Sequence, residues 1–170
     1  MSLVLRPARG EDDLAAVRAL CWDYRAHLID HHPPTRAVIE AVYPEAGYAA
    51  VLADLAALHA RPKGEILLAR LGDAPVGCGM SYEQAPGAVE LKRVYVAPAG
   101  RGQGIARRLC DALIAQAAAD GYTTVRLDTL HTLIAAQALY ARLGFHRRDA
   151  YYDVPALAAP HIRFYERSIA

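Results

Sequence analysis

At 170 residues the chain has the length of one ordinary domain, and an apolar share of 54% is enough for a globular core. A formal net charge of +1 gives no electrostatic case for nucleic acid, and no apolar run is long enough to span a bilayer. Cys21, Cys78 and Cys110 sit within apolar patterns without C-x-x-C spacing, which predicts buried thiols rather than disulfides or metal ligands.

Leu3 to Pro7 reads as a short first strand ended by Arg6-Pro7. The basic Arg6 and the acidic Glu11-Asp12-Asp13 arrive at once, so the opening is no signal peptide and the expected setting is the cytoplasm. Those acidic residues suit the first turn of a helix, and Leu14, Val17, Cys21, Tyr24 and Leu28 continue it at alternating spacings of three and four. The helix ends near His31-His32-Pro33-Pro34. That histidine pair has no ligand partner nearby in sequence and reads as an exposed loop rather than a metal site. A second helical region covers Thr35 to Ala60, broken near Tyr43-Pro44.

Three strands follow, Ile66–Leu71, Val76–Glu83 and Val89–Val96, joined by the turns Gly72–Pro75 and Gln84–Gly87 as an antiparallel meander. In the middle strand Val76, Cys78, Met80 and Tyr82 alternate with Gly77, Gly79 and Ser81, so one face is bulky and the other bare. After Ala97-Pro98 and a glycine-rich loop, Ile105, Leu109, Leu113 and Ala117 form one helical stripe that Gly121 closes. Thr123–Thr129 is the next strand, with Val125 and Leu127 on its buried face. The crossover makes it parallel to Val89–Val96. Thr132–Leu143 is helical with Gly144 past its end, Phe145 begins a strand, and Tyr151-Tyr152 and His161–Ile169 read as the last two strands. The expected fold is one α/β domain with a mixed, mostly antiparallel sheet flanked by helices.

The loop Arg101-Gly102-Gln103-Gly104-Ile105-Ala106 opens the long helix. Unpartnered N–H groups there favour an anion, glycines let the main chain approach a phosphate, and Arg101 adds a cation. No lysine follows for a Walker A loop, and Arg107 stands where a dinucleotide fingerprint needs its third glycine. What remains is Arg-x-x-Gly-x-Ala. It resembles the acyl-CoA pyrophosphate loop of the GCN5-related N-acetyltransferases. Leu5-Arg6-Pro7-Ala8, the strand Glu90–Val96 followed by Pro98, and Ala136, Leu139-Tyr140 and Gly144-Phe145 are similar to that family in order and separation, over nearly the whole chain.

The resemblance implies acetyl-CoA as co-substrate, no metal, and direct transfer to an amine in a ternary complex. It implies a wedge beside Val89–Val96 in which the main chain of Val94, Tyr95 and Val96 holds the pantetheine arm. An N–H near Val94 would polarise the thioester, and the N–H groups of Gly102, Gln103, Gly104, Ile105 and Ala106 would take the pyrophosphate. Tyr140 stands at the place of the general acid, although Leu139 and Leu143 beside it also allow a core tyrosine. Glu90, four residues before Val94 and so expected on the same strand face, is the candidate base. The alternatives are a solvated partner of Lys92, with Tyr82 or a water chain moving the proton. Leu133 stands where many members carry an asparagine, which removes one polar contact to the arm. Cys110, at a core position, is no nucleophile. The expected acceptor is a small amine or amino-acid-like metabolite. A protein N-terminus or lysine is the second reading, and a non-catalytic acyl-CoA-binding module the third. A homodimer paired through the last strand is open.

Overall fold

The computed structural model describes residues 2–170. Its strands are β1 (Leu3–Pro7), β2 (Gly64–Leu71), β3 (Ala74–Ala85), β4 (Ala88–Val96), β5 (Thr124–Leu130), β6 (His146–Arg148) and β7 (Ile162–Ser168). Its helices are α1 (Gly10–His31), α2 (Arg36–Val42), α3 (Glu45–Ala53), α4 (Leu55–Leu58), α5 (Ile105–Ala119) and α6 (Ile134–Arg142). The strands form one sheet in the order β1-β2-β3-β4-β5-β7-β6. The β4–β5 pair is parallel and its neighbours are antiparallel, as the crossover through α5 requires.

Each sheet face carries its own core. On one, Ile105, Leu109, Leu113 and Ala117 of α5 pack on Leu67, Leu91, Val125 and Leu127. The bare face of β3 exists for this helix. A Cβ on Gly79 would stand 3.3 Å from Leu113 Cδ1, and one on Gly77 3.3 Å from Ile105 Cγ2. On the other face Val17, Leu20 and Cys21 of α1, with Leu52 and Leu55, cover Leu68, Cys78 and Met80. Asp13 fastens the start of α1: its carboxylate accepts the Arg9 N–H at 3.0 Å and two Arg6 guanidinium bonds at 2.6 and 2.8 Å. Cys21, Cys78 and Cys110 are free and buried. Gly121 and Gly144, at φ of +87° and +81°, close α5 and α6 as expected.

Two expectations need correction. The second helical region breaks twice: besides Tyr43-Pro44 it stops at Asp54, where ψ of 14° ends the α conformation. Tyr151 and Tyr152 form no strand. The penultimate strand is His146–Arg148, and the tyrosines beyond it turn over the sheet, meeting Phe164 edge-on at 5.1 and 5.0 Å while their hydroxyls are drawn to carboxylates. The last strand, β7, is paired on both sides over Phe164–Glu166, by β5 and by β6. The fold also brings His131 beside both His32 and His161, with ring centroids 6.4 and 5.1 Å apart, which no sequence spacing announced. Among the described residues no three metal-ligating side chains converge, and no helix is long and apolar enough to cross a membrane.

Candidate active site

β4 and β5 are paired only at Ala88, Val89 and Glu90, then separate. The cause lies on the other edge of β4. Opposite β3 the register slips between Cys78 and Met80, and Arg93 at the slip has φ of +49°, an extra residue that bends the strand away from its parallel neighbour. The wedge so opened is lined by residues of α1, β4, the Arg101 loop and α6.

The bulge also changes which residues share a face. Val94 packs toward α5, its Cγ2 lying 3.4 Å from the place of a Gly79 Cβ, whereas Glu90 pairs with Tyr82 on the opposite face. The expectation that Glu90 and Val94 point the same way therefore fails, because an inserted residue shifts the two-residue alternation by one.

One groove, of about 460 Å³, is lined by Val94, Tyr95, Val96, Arg101, Ala106 and Tyr140, with Tyr24, His27 and Leu133 among the others. The rest of the expected loop sits at its edge. Gly102 and Gly104 have φ of +77° and +70°, with nothing within 4 Å of a would-be Cβ, and Gln103 is exposed. The side chain of Ile105 is buried in the core, leaving only its N–H to offer. The N–H groups of Gly102 through Arg107 donate to no acceptor among the described residues, and the first bond of α5 runs from Arg108 N–H to Gly104 O at 3.1 Å. A row of free donors at the mouth of a long helix fits a pyrophosphate.

A second cavity, of about 380 Å³, lies on the other side of the divergence, lined by α1, α2, β3, β4, β5 and Tyr152. A small pocket of about 50 Å³, a throat, lies where the linings of the groove and this cavity meet. It shares Tyr43, Lys92, Asp128 and Thr129 with the second cavity, and Val94, Leu133, Ala136 and Tyr140 with the groove.

Tyr140 stands at this throat. Its ring packs on Phe145 and Tyr165 at 6.0 and 6.1 Å, so it is a core tyrosine and a cavity-lining one together. Its hydroxyl has no hydrogen-bond partner among the described residues. Burial raises its pKa, and the thiol of Cys110 and the carboxylate of Asp128 push the same way, so the phenol keeps its proton.

Glu90 is 1% exposed. Its carboxylate accepts from Tyr82 Oη, from Tyr151 Oη at 2.9 Å and from Lys92 Nζ at 2.6 Å. It is the partner of Lys92, then, but a sealed one and no solvated surface charge. Lys92 also reaches Asp128 Oδ2 at 3.0 Å, where Tyr152 Oη donates at 2.8 Å. Burial opposes the charge on Lys92, and Asp128, Tyr43 and Glu90 together outweigh it, holding the ammonium above the ordinary lysine value. Cys110 is buried and its thiol is pushed up to about 12 by desolvation, with Asp111 adding, so it is no nucleophile at neutral pH.

Asp128, Tyr24, Tyr43 and the tyrosine pair were missed from sequence. Asp128 carried a signal: with Arg126 it alternates with the buried Val125 and Leu127 in a strand at the centre of a sheet, where a charge needs a partner or a task.

A mixed sheet splayed at a bulge, with an anion-binding loop at one end of the wedge, is the frame of an acyl-CoA-dependent transferase. The chain belongs to the acetyltransferase (GNAT) family, whose sequence profile matches residues 21–145. It is 38% identical over 97 residues to an uncharacterized N-acetyltransferase of Schizosaccharomyces pombe, covering 55% of this chain and 59% of that one. It is 36% identical over 101 residues to the IAA acetyltransferase of Azospirillum brasilense, covering 59% and 65%. The matches thus span less than two thirds of either relative. An acetyltransferase from Streptococcus agalactiae shares the fold with a TM-score of 0.76 and 17% identity, over 98% of each chain. The PaiA N-acetyltransferase of Thermoplasma acidophilum, solved with coenzyme A, does so with a TM-score of 0.70 and 16% identity, over 99% of each chain.

Proposed function

We propose that this chain is a cytoplasmic acetyl-CoA-dependent N-acetyltransferase that acetylates the primary amine of a small molecule. The observation that carries the reading is the throat: a phenol with no hydrogen-bond partner among the described residues stands between a groove ending in free N–H groups and a second cavity that holds the carboxylates of Glu90 and Asp128.

Acetyl-CoA supplies an acyl group already activated as a thioester. Gly102, Gln103, Gly104, Ile105 and Ala106 hold its pyrophosphate by main-chain N–H groups, with Arg101 beside them. The open edge of Val94, Tyr95 and Val96 takes the pantetheine arm, and an N–H near Val94 polarises the carbonyl. An alkylammonium with a pKa of about 10.4 must first lose a proton. Tyr82 accepts it while passing its own to Glu90, to which it is already bonded. The nitrogen lone pair then forms the C–N bond, the C–S bond breaks, and Tyr140 protonates the departing sulfur. The products are an amide and free CoA; the amine's second proton restores Tyr140, and Glu90 releases the first to solvent.

Thermal melting with acetyl-CoA, CoA and ATP tests the cofactor reading. At about a hundredfold over its Kd a ligand of the native state stabilises by roughly 2.7 kcal/mol. A rise with both CoA species and none with ATP is expected. No rise with either CoA species overturns the function and leaves the fold untouched.

A further inference from the structure

Resting on that reading, we infer that the acceptor is a compact apolar monoamine, an arylalkylamine or branched alkylamine, with its ammonium on Asp128 and its hydrocarbon body beneath α1 and α2. The 380 Å³ cavity is two-sided. Its charged groups, Glu90, Lys92 and Asp128, all belong to β4 and β5, while the phenols that line it come from both sides: Tyr82 on β3, Tyr152 past β6, Tyr24 on α1 and Tyr43 just past α2. Facing the charges, Leu28, Val38, Ile39 and Val42 of α1 and α2 present hydrocarbon, and Tyr24 and Tyr43 border the throat.

Charge decides among amines. Glu90, Lys92 and Asp128 sum to −1, so the cluster is completed by one cation. Glu90 already accepts from three donors, whereas Asp128 uses only Oδ2, for Lys92 and Tyr152, leaving Oδ1 without a donor among the described residues. An α-amino acid would bring a carboxylate too. Lys92, the one cation among the residues lining this cavity, is already shared between two carboxylates. Arg93 lines the throat but not this cavity, and its guanidinium lies over the Tyr48 ring at 5.6 Å with Nη1 3.8 Å from Met80 Sδ, on the side of α3. A polyamine would set its second ammonium against the aliphatic wall, where no lining residue carries a carboxylate. The volume, near the low end of ligand cavities of roughly 300–1,000 Å³, suits a body about the size of a phenylethyl group.

The test is a panel assayed by CoA release with the full chain: 2-phenylethylamine, 3-methylbutylamine, phenylalanine, putrescine and a tripeptide with an apolar N-terminal residue. The two apolar amines are expected to exceed the other three by at least about tenfold in kcat/KM, a typical size for leaving a buried polar group unpaired. Phenylalanine, putrescine or the tripeptide turning over as well or better overturns the inference, as does no turnover of either apolar amine by a chain that melts higher with acetyl-CoA. Absence of that melting rise instead removes the reading beneath it. Val42→Glu, at a half-buried helix position, is expected to raise putrescine turnover and lower that of 2-phenylethylamine. Asp128→Asn is expected to raise KM for the amine about tenfold or more while the acetyl-CoA melting shift stays. An unchanged KM overturns the docking on Asp128.

Discussion

At the scale of single residues, the two side chains proposed for opposite proton tasks, Tyr140 and Glu90, line the throat and the second cavity. Tyr140 keeps its proton because burial disfavours the phenolate, and its hydroxyl is free to give it. Tyr140→Phe retains the ring that packs on Phe145 and Tyr165, so melting temperature and the acetyl-CoA shift should hold while kcat falls about tenfold or more. Unchanged turnover would remove Tyr140 from the chemistry. Glu90→Gln keeps the volume and an acceptor for Tyr82 but cannot take a proton. Turnover at pH 7 should fall by roughly a hundredfold, and less at pH 9, where more amine is already neutral. A loss equal at both pH values would make Glu90 a structural partner of Lys92 only. Tyr140 was legible in sequence because its helix and the Gly144-Phe145 that follows recur together. The sealing of Glu90 was not, because two of its donors, Tyr82 and Tyr151, come from a neighbouring strand and from a turn 61 residues away.

At the scale of elements, the site depends on a main-chain irregularity that no side-chain pattern encodes. The alternation in β3 and the stripe of α5 were readable, and so was the parallel crossover that joins β4 to β5 through α5. The bulge at Arg93 was not, since arginine carries no preference for a positive φ, and its position decides which way Glu90 and Val94 face. Two glycines separate packing from loop conformation. Gly79→Ala would place its Cβ 3.3 Å from Leu113 and 3.4 Å from Val94, pressing α5 against the wedge. A cost of about 1 kcal/mol is expected, lowering the melting temperature by roughly 2–4 °C, with a raised KM for acetyl-CoA. Gly104→Ala meets no neighbour, but its φ of +70° disfavours a Cβ. There the KM for acetyl-CoA should rise with a stability loss of about 1 kcal/mol or less, and an unchanged KM would show that this loop does not hold the pyrophosphate.

At the scale of the whole molecule, acid should loosen the wall that carries Tyr82. His59, just past α4, is 5% exposed, and its Nδ1–H donates to Ser81 O at 2.8 Å, beside the Tyr82 ring at 6.0 Å. Burial lowers its pKa to about 4, against the opposing pull of that bond, with the charges of Arg93 and Lys92 adding. The unfolded chain, with a histidine pKa of about 6.5, binds the proton first. Stability from the neutral ring is therefore complete above pH 6.5 and is lost as the pH falls toward 4, up to roughly 3 kcal/mol. His27, lowered by burial and then by Arg101, acts with the same sign but is partly exposed and contributes less. The carboxylates of Asp13 and Glu166, held below their usual range, lose their contributions only at lower pH still. The interval from pH 6.5 to 4.5 thus belongs chiefly to His59. His59→Asn retains a donor for Ser81 O without a titration in that range, so its melting temperature should decline less steeply than that of the parent chain between those two values. Parallel declines would show that the acid sensitivity arises elsewhere in the molecule.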